Sequence, residues 1–114
     1  WSIEKDIPWE QCNRQLSPAI ADVVESFCLV ELYLPDYLGH AIPRSRDSRA
    51  RSWFYFNWGY EESKHSLALE DWLVKSGARS DEEMSDVHDN LYKHPWEIPH
   101  DNPIALLAYA MVQE

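Results

Sequence analysis

Glu62 and His65 lie three residues apart in a stretch that is predicted to be helical, and this spacing places both side chains on one side of the helix. The same face carries large apolar residues at Phe54, Tyr55, Trp58, Leu69 and Trp72. Burying a carboxylate on such a face is costly unless it is paired or binds a metal. Glu-x-x-His is also the spacing with which helical bundles hold two metal ions, each pair accompanied by a lone Glu from a neighbouring helix. The motif alone arises often by chance, so a second buried acid is needed to support a metal site.

Glu31 is a second acid on an apolar helical face. Steps of three or four residues from it reach only apolar or neutral positions: Val24, Phe27, Cys28, Leu34, Pro35 and Leu38. The alternative is a buried glutamate held by an arginine or a tyrosine. Glu114 is a third acid, preceded on its own face by Leu107, Ala110 and Met111, and its alternative is a terminal polar residue that reaches solvent. The candidate metal ligands are therefore Glu31, Glu62, His65 and Glu114.

The composition excludes several classes of protein. With 114 residues the chain is long enough for one domain but not for two. Its net charge of −10 argues against nucleic acid and against anionic membrane surfaces as partners. No apolar run approaches the roughly 18 residues of a membrane span. Two cysteines without a Cys-x-x-Cys motif form no disulfide framework, so we expect a soluble cytoplasmic protein.

Basic residues are concentrated in one short segment. Four of the ten lysines and arginines fall within eight positions, at Arg44, Arg46, Arg49 and Arg51. On an acidic protein such a patch suits the docking of an acidic partner. The alternative is a solvated loop that complements nearby carboxylates.

The elements that must position these residues are all predicted to be helices. Residues 1–16 show no clear period and predict an extended arm. Helices are predicted over residues 17–41, 47–76, 80–93 and 103–114. Pro35 is expected to kink the first helix, and Gly77 to cap the second. The short loop between these two helices predicts antiparallel packing, and the almost entirely apolar stretch 104–112 predicts a deeply buried last helix.

These segments, in this order, resemble the soluble acyl-acyl-carrier-protein desaturases. The stretch from Trp58 to His65, W-G-Y-E-E-S-K-H, resembles the W-x-x-E-E-x-x-H segment of that family. The stretch from Glu31 to Tyr37, E-L-Y-L-P-D-Y, resembles its E-x-x-L-P-x-Y segment. Residues 111–114 resemble the start of its Q-E-x-A-T segment, in which the Glu is a ligand. The resemblance spans nearly the whole chain.

The resemblance implies a ferritin-like antiparallel helical bundle with a di-iron centre. Glu31 would be a terminal ligand of the first iron, Glu62 a bridging carboxylate, and His65 a terminal ligand of that first iron. Glu114 would bind the second iron, and Trp58 would lie just outside the ligands. In the family, the reduced irons activate O2, and two hydrogens are removed from a fatty acyl chain carried on acyl carrier protein. A ferredoxin supplies the electrons.

The chain departs from the family in its ligand count. The family has a second Glu-x-x-His on a helix beyond the position of Glu114, and this chain has none. We therefore expect an incomplete bundle that is a fragment of the full enzyme, inactive alone and weak in iron binding as a monomer. The alternatives are a homodimer in which a second copy completes the site, or a chain that binds no iron.

Two other functions stay open on the sequence alone. The first is another ferritin-like di-iron oxygenase or oxidase, acting on a free acid or an amine. The second is a non-catalytic helical module that packs on a larger assembly. The missing second Glu-x-x-His favours the module, whereas the acids kept on apolar faces favour the metal enzyme.

Overall fold

The computed structural model describes residues 1–99 and 102–113, and all regular structure in these two ranges is helical. The prediction of an all-α chain is therefore confirmed. The helices are α1 (Ile3–Asp6), α2 (Pro18–Glu31), α3 (Leu34–Arg44), α4 (Arg49–Lys75), α5 (Asp81–Leu91) and α6 (Pro103–Gln113), with one 3-10 turn at Trp9–Gln11. In this part of the chain, no helix combines the length and the apolar character that a bilayer crossing requires.

The N-terminal segment is not the extended arm that was predicted. It forms α1 and the 3-10 turn, and the indole N–H of Trp9 donates to the Ile3 carbonyl at 2.8 Å. Two lysines of α4 hold the segment through its aromatic rings. The Lys64 ammonium lies 4.7 Å from the centre of the Trp1 ring, and that of Lys75 lies 4.8 Å from the centre of the Trp9 ring. These cation–π contacts hold the segment against α4.

The helix predicted over residues 17–41 is two helices. The first ends at Glu31 and the second begins at Leu34, so the chain is interrupted rather than kinked. Pro35 lies in the first turn of α3, where its missing N–H leaves no intrahelical hydrogen bond unmade. Helix α3 also continues to Arg44, beyond the predicted end at residue 41, and Pro43 lies inside its last turn. A proline φ is compatible with a helix, and the loss near a helix end is limited to one backbone hydrogen bond.

The first two predicted helices pack antiparallel, which confirms that prediction. As the chain advances along α2 and α3, its contacts move back along α4. The contacting pairs are Asp22 with Arg79, Cys28 with Ser66, Leu38 with Gly59, and Ser45 with Ser52. The helices approach closely at Gly59, where a Cβ atom would lie 2.6 Å from a methyl group of Leu38. The glycine therefore lets α3 approach α4 one turn before Glu62.

The core lies at the C-terminal end of α4, away from the arginine-rich segment 44–51. Its fully buried members are Ala21 and Cys28 of α2, Leu73 of α4 and Met84 of α5. The fifth helix is held in place at its start by a reciprocal cap, in which the Ser80 hydroxyl accepts from the Glu83 amide and the Glu83 carboxylate accepts from the Ser80 amide. This cap agrees with the helix start that the sequence predicts.

The prediction that the last helix is deeply buried is wrong. α6 forms, but Ile104, Met111 and Val112 are 79%, 76% and 87% exposed. One side of α6 packs inwards, with the Tyr109 ring 5.7 Å from that of Trp96. The helix is apolar on all sides, and the described residues cover only one of them. The position of Glu114 lies outside the described residues.

The turn that ends α4 depends on a glycine. Gly77 has a φ of +79°, which L side chains rarely adopt, and the amides of Ala78 and Arg79 donate to the Leu73 carbonyl at 3.0 and 3.1 Å.

We expect Gly77→Ala to lower the free energy of unfolding by about 1 kcal/mol. Gly39→Ala is the matched control, since Gly39 lies inside α3 with open space at its Cβ. That change should stabilise the protein by about 0.5–1 kcal/mol. Urea denaturation measures the change in the free energy of unfolding for both variants. Equal changes in the two variants would contradict the role of the turn.

Candidate metal centre

Glu31, Glu62 and His65 converge on one point between α2 and α4. Each offers one ligand atom, and these three atoms lie within 4.8 Å of one another. His65 Nδ1 is 2.9 Å from a carboxylate oxygen of Glu62 and 3.6 Å from one of Glu31. Donor atoms of one two-metal centre lie within roughly 6 Å of one another, and these three meet that condition. The predicted convergence of these three side chains is confirmed.

Two helices position the members of this cluster. Glu31 is the last residue of α2, just before the chain breaks to start α3. Glu62 and His65 lie one turn apart in the middle of the 27-residue α4, so they share a side of that helix. The antiparallel register places the end of α2 beside this turn of α4. The cluster thus needs both the local helical spacing and the tertiary register.

The three side chains differ in exposure. Glu62 is buried, with 8% of the residue exposed. The side chains of Glu31 and His65 are 28% and 40% exposed, so both lie at the opening of the cluster. The buried carboxylate therefore forms the floor of the site, and the other two donors form its accessible side.

The electrostatics of the cluster favour a bound cation. Two carboxylates at this distance repel each other when both are ionised, and one of them is buried. A metal ion between the two carboxylates offsets that repulsion. Carboxylate oxygens with an imidazole nitrogen suit iron, manganese and zinc. One Glu with one Glu-x-x-His is half of the ligand set of a two-metal bundle site.

An apolar cavity of about 380 Å³ adjoins the cluster. Glu31 and Glu62 form part of its wall, and most of the remaining wall is aromatic or aliphatic. These other lining residues are Leu34, Tyr37, Ala41, Phe54, Tyr55, Trp58, Leu106, Leu107, Tyr109, Ala110 and Met111. The volume is within the usual range for small-molecule sites, which are mostly apolar with few polar groups. The cluster therefore faces a space suited to an apolar ligand.

Cys28 lies one turn before Glu31 and does not join the ligand set. Its side chain is fully buried, and its thiol lies 3.5 Å from the Ser66 carbonyl oxygen. Burial, and to a smaller extent the nearby carboxylates of Glu70, Glu25 and Glu31, raise the pKa of the Cys28 thiol to about 11. Metals bind thiolates rather than thiols. Cys28 is thus a core residue at neutral pH.

The structure brings part of the predicted ligand set together. Three of the four candidate ligands come together, Glu114 lies outside the described residues, and Trp58 lines the cavity beside Glu62. The sequence analysis missed Tyr37 and Tyr109 as lining residues, because their approach depends on how α3 and α6 pack. Comparison of the chain with protein-family models, curated proteins and solved structures gives no match.

Proposed function

We propose that this chain carries half of a carboxylate-bridged di-iron site in a ferritin-like bundle, and that the site serves the O2-dependent desaturation of a fatty acyl chain on acyl carrier protein. The observation that carries the proposal is the convergence of Glu31, Glu62 and His65 on the wall of an apolar cavity. A cytoplasmic ferredoxin-type protein is the proposed electron donor. The resemblance in the E-x-x-L-P-x-Y and W-x-x-E-E-x-x-H segments supports this choice of reaction.

Each donor has a distinct role in the proposed centre. Glu62 is the buried carboxylate of the cluster, and it would hold iron together with the other two donors. Glu31 and His65 flank it and would each bind the first iron. Glu114 would be a ligand of the second iron. When bound, the irons supply the O2 chemistry, and the protein holds them and orients the acyl chain.

The cavity contributes water exclusion and orientation. Phe54, Tyr55 and Trp58 line it from α4, with ring centres 5.6 Å apart for the first pair and 6.3 Å for the second. Large aromatic side chains of this kind exclude water and restrict an acyl chain to few positions. Removal of hydrogen from an unactivated carbon needs that carbon held close to the oxidant. A cavity with both carboxylates in its wall would provide such positioning.

Two other functions are supported by specific observations. The ligand set and the apolar cavity fit equally a ferritin-like di-iron oxygenase that acts on a free acid or an amine. A non-catalytic helical module in a larger assembly is favoured by the exposed apolar side of α2, where Ile20, Val23 and Phe27 are 47%, 54% and 60% exposed. Exposed apolar surfaces of this kind mark contacts with other proteins.

Titration of the protein with ferrous or cobaltous ion tests the metal site. We expect weak binding of one metal ion per monomer, with imidazole ligation visible in the cobalt spectrum, because three donors are half of the usual set. Absence of any binding at millimolar metal would contradict the metal site and favour the helical module. Tight binding of two irons by a demonstrated monomer would contradict the ligand assignment.

The class of reaction is then read from the mass of the product. The assay uses a form of the protein that holds two irons, with a ferredoxin, O2 and an acyl chain on acyl carrier protein. A product that has lost two hydrogens is the result expected of a desaturase. A product that has gained one oxygen atom would instead show the oxygenase.

A further inference from the structure

Lys64, the residue before His65 in α4, is buried, which is uncommon for a lysine. Only 7% of its side chain is exposed. Its ammonium lies 4.7 Å from the centre of the Trp1 ring and 5.0 Å from that of the Tyr60 ring. It also donates to the Trp1 carbonyl at 3.1 Å and lies 2.7 Å from a carboxylate oxygen of Glu61. These partners compensate the buried charge and fix its position.

The fixed ammonium in turn holds the carboxylate of Glu61. The hydrogen bond from Lys64, and to a smaller extent the nearby charges of Lys64 and His65, lower the pKa of the Glu61 carboxyl. Glu61 therefore carries a negative charge at neutral pH. Because Lys64 is anchored to Trp1, this charge is drawn towards the side of α4 on which the N-terminal segment lies.

Glu61 is also a neighbour of His65 on the surface of α4. Residues four positions apart in a helix lie on adjacent turns of one side, so their side chains can pair. The His65 imidazole instead faces the other two acids, with Nδ1 2.9 Å from Glu62 and 3.6 Å from Glu31. Its side chain is 40% exposed, so packing restricts it only in part. A third acid within reach of the same imidazole is a competitor of the metal cluster.

We propose that Lys64 is a positioning residue of the metal site, because it holds Glu61 away from His65. The imidazole then stays with the carboxylates of Glu31 and Glu62. Lys64 acts through Glu61 and binds no metal itself, since a lysine ammonium has no lone pair to offer. Without the ammonium, the Glu61 carboxylate would turn to His65 and draw the imidazole out of the cluster. The inference rests on the metal site proposed above, but not on the reaction proposed there.

The proposal predicts an effect opposite in sign to that of simple electrostatics. Removal of an ammonium beside a cation site makes that site more negative, and this alone would tighten metal binding. Loss of a positioning residue weakens metal binding, typically by about 10–100-fold. We expect the lower end of that range for Lys64, because it acts on His65 through a second side chain.

Titration with cobaltous ion tests the proposal in the variant Lys64→Met, which keeps an unbranched side chain in place but removes its charge. The metal affinity is expected to fall about tenfold. The double variant Lys64→Met/Glu61→Gln should regain the affinity of the unchanged protein to within about twofold, because the competing carboxylate is gone. Unchanged or tighter binding in the single variant would overturn the proposal. So would a double variant that binds as weakly as the single one, since a merely structural role of Lys64 predicts that result.

Lys75→Met is the matched control. The Lys75 ammonium has the same kinds of partner, with the Trp9 ring centre at 4.8 Å and a carboxylate oxygen of Asp71 at 2.6 Å. Its loss removes the same charge and another contact of the N-terminal segment. The acid that it frees is six residues from His65, which is not a helical neighbour. Metal affinity should therefore stay within about twofold, whereas a tenfold loss would attribute the effect to the segment and overturn the role of Glu61.

Nitrogen NMR of the His65 imidazole in the metal-free protein gives a readout that needs no metal. Nδ1 faces the two carboxylates of the cluster, so we expect the proton on that nitrogen. The imidazole nitrogen shifts should change in Lys64→Met and return in the double variant. If they do so while no protein binds cobalt, the metal site fails and the positioning role stands. Shifts that do not respond would overturn the positioning role. Circular dichroism verifies the fold of each variant, and Lys64→Gln replaces Lys64→Met if the latter is unfolded.

Discussion

The change Glu62→Gln is expected to lower the affinity of the protein for cobaltous or ferrous ion by at least about 100-fold. Residues that only orient metal ligands contribute about 10–100-fold, and a direct ligand contributes more. Glu62 is the buried donor of the cluster, 2.9 Å from His65. Glutamine keeps the size and helix propensity of the side chain but removes its charge. The variant is therefore expected to lose metal affinity. Metal titration of the unchanged protein and of the variant measures this loss.

Glu61→Gln is the matched control for this prediction. Glu61 is the adjacent residue of the same helix, with a side chain that is 51% exposed and 2.7 Å from the Lys64 ammonium. That hydrogen bond lowers the pKa of the Glu61 carboxyl, so its charge is engaged away from the cluster. The Glu61 variant should bind metal as the unchanged protein does. Equal losses in the two variants would show that net charge, rather than the cluster, controls metal binding.

The change Leu73→Ala is expected to lower the free energy of unfolding by about 2–5 kcal/mol. Leu73 is fully buried, and it packs with Ala21, Cys28 and Met84 where three helices meet. Truncation leaves a cavity that none of these side chains fills without a change of rotamer. A loss of this size is a large part of the roughly 5–15 kcal/mol that stabilises a typical domain.

The control for the core is Leu67→Ala in the same helix. Leu67 is 54% exposed and lies outside the buried cluster, so its truncation should change the unfolding free energy by less than about 1 kcal/mol. Chemical denaturation gives both values. Similar losses at the two positions would mean that residue 67 is covered in solution by another molecule. Analytical ultracentrifugation then shows whether that molecule is a second copy.

Local geometry made the helices and half of the candidate site predictable. Ser80 followed by Glu83 predicts the start of α5, and Gly77 predicts the end of α4, because caps depend on residues within one turn. The spacing of Glu62 and His65 places both on one side of α4 for the same reason. These features follow from dihedral preferences and helical periodicity, and they need no information from the rest of the chain.

The sequence pattern alone was misleading where it is compatible with two different local structures. Pro35 is compatible with a kink inside one helix or with the first turn of a new one, and the structure has the new helix. The stretch 104–112 is apolar on every side, which indicates a preference for burial but does not supply the partner that buries it. Ile104 and Val112 are accordingly exposed.

By itself, the sequence determined which residues share a helical face, and hence that a carboxylate and an imidazole would lie together on an apolar side of α4. The tertiary structure decided that Glu31 joins them, since that depends on the register between α2 and α4. It also placed residues of α6 in the wall of the cavity beside the cluster. Register depends on contacts between distant residues, such as Leu38 against Gly59, and no periodicity within one helix encodes it.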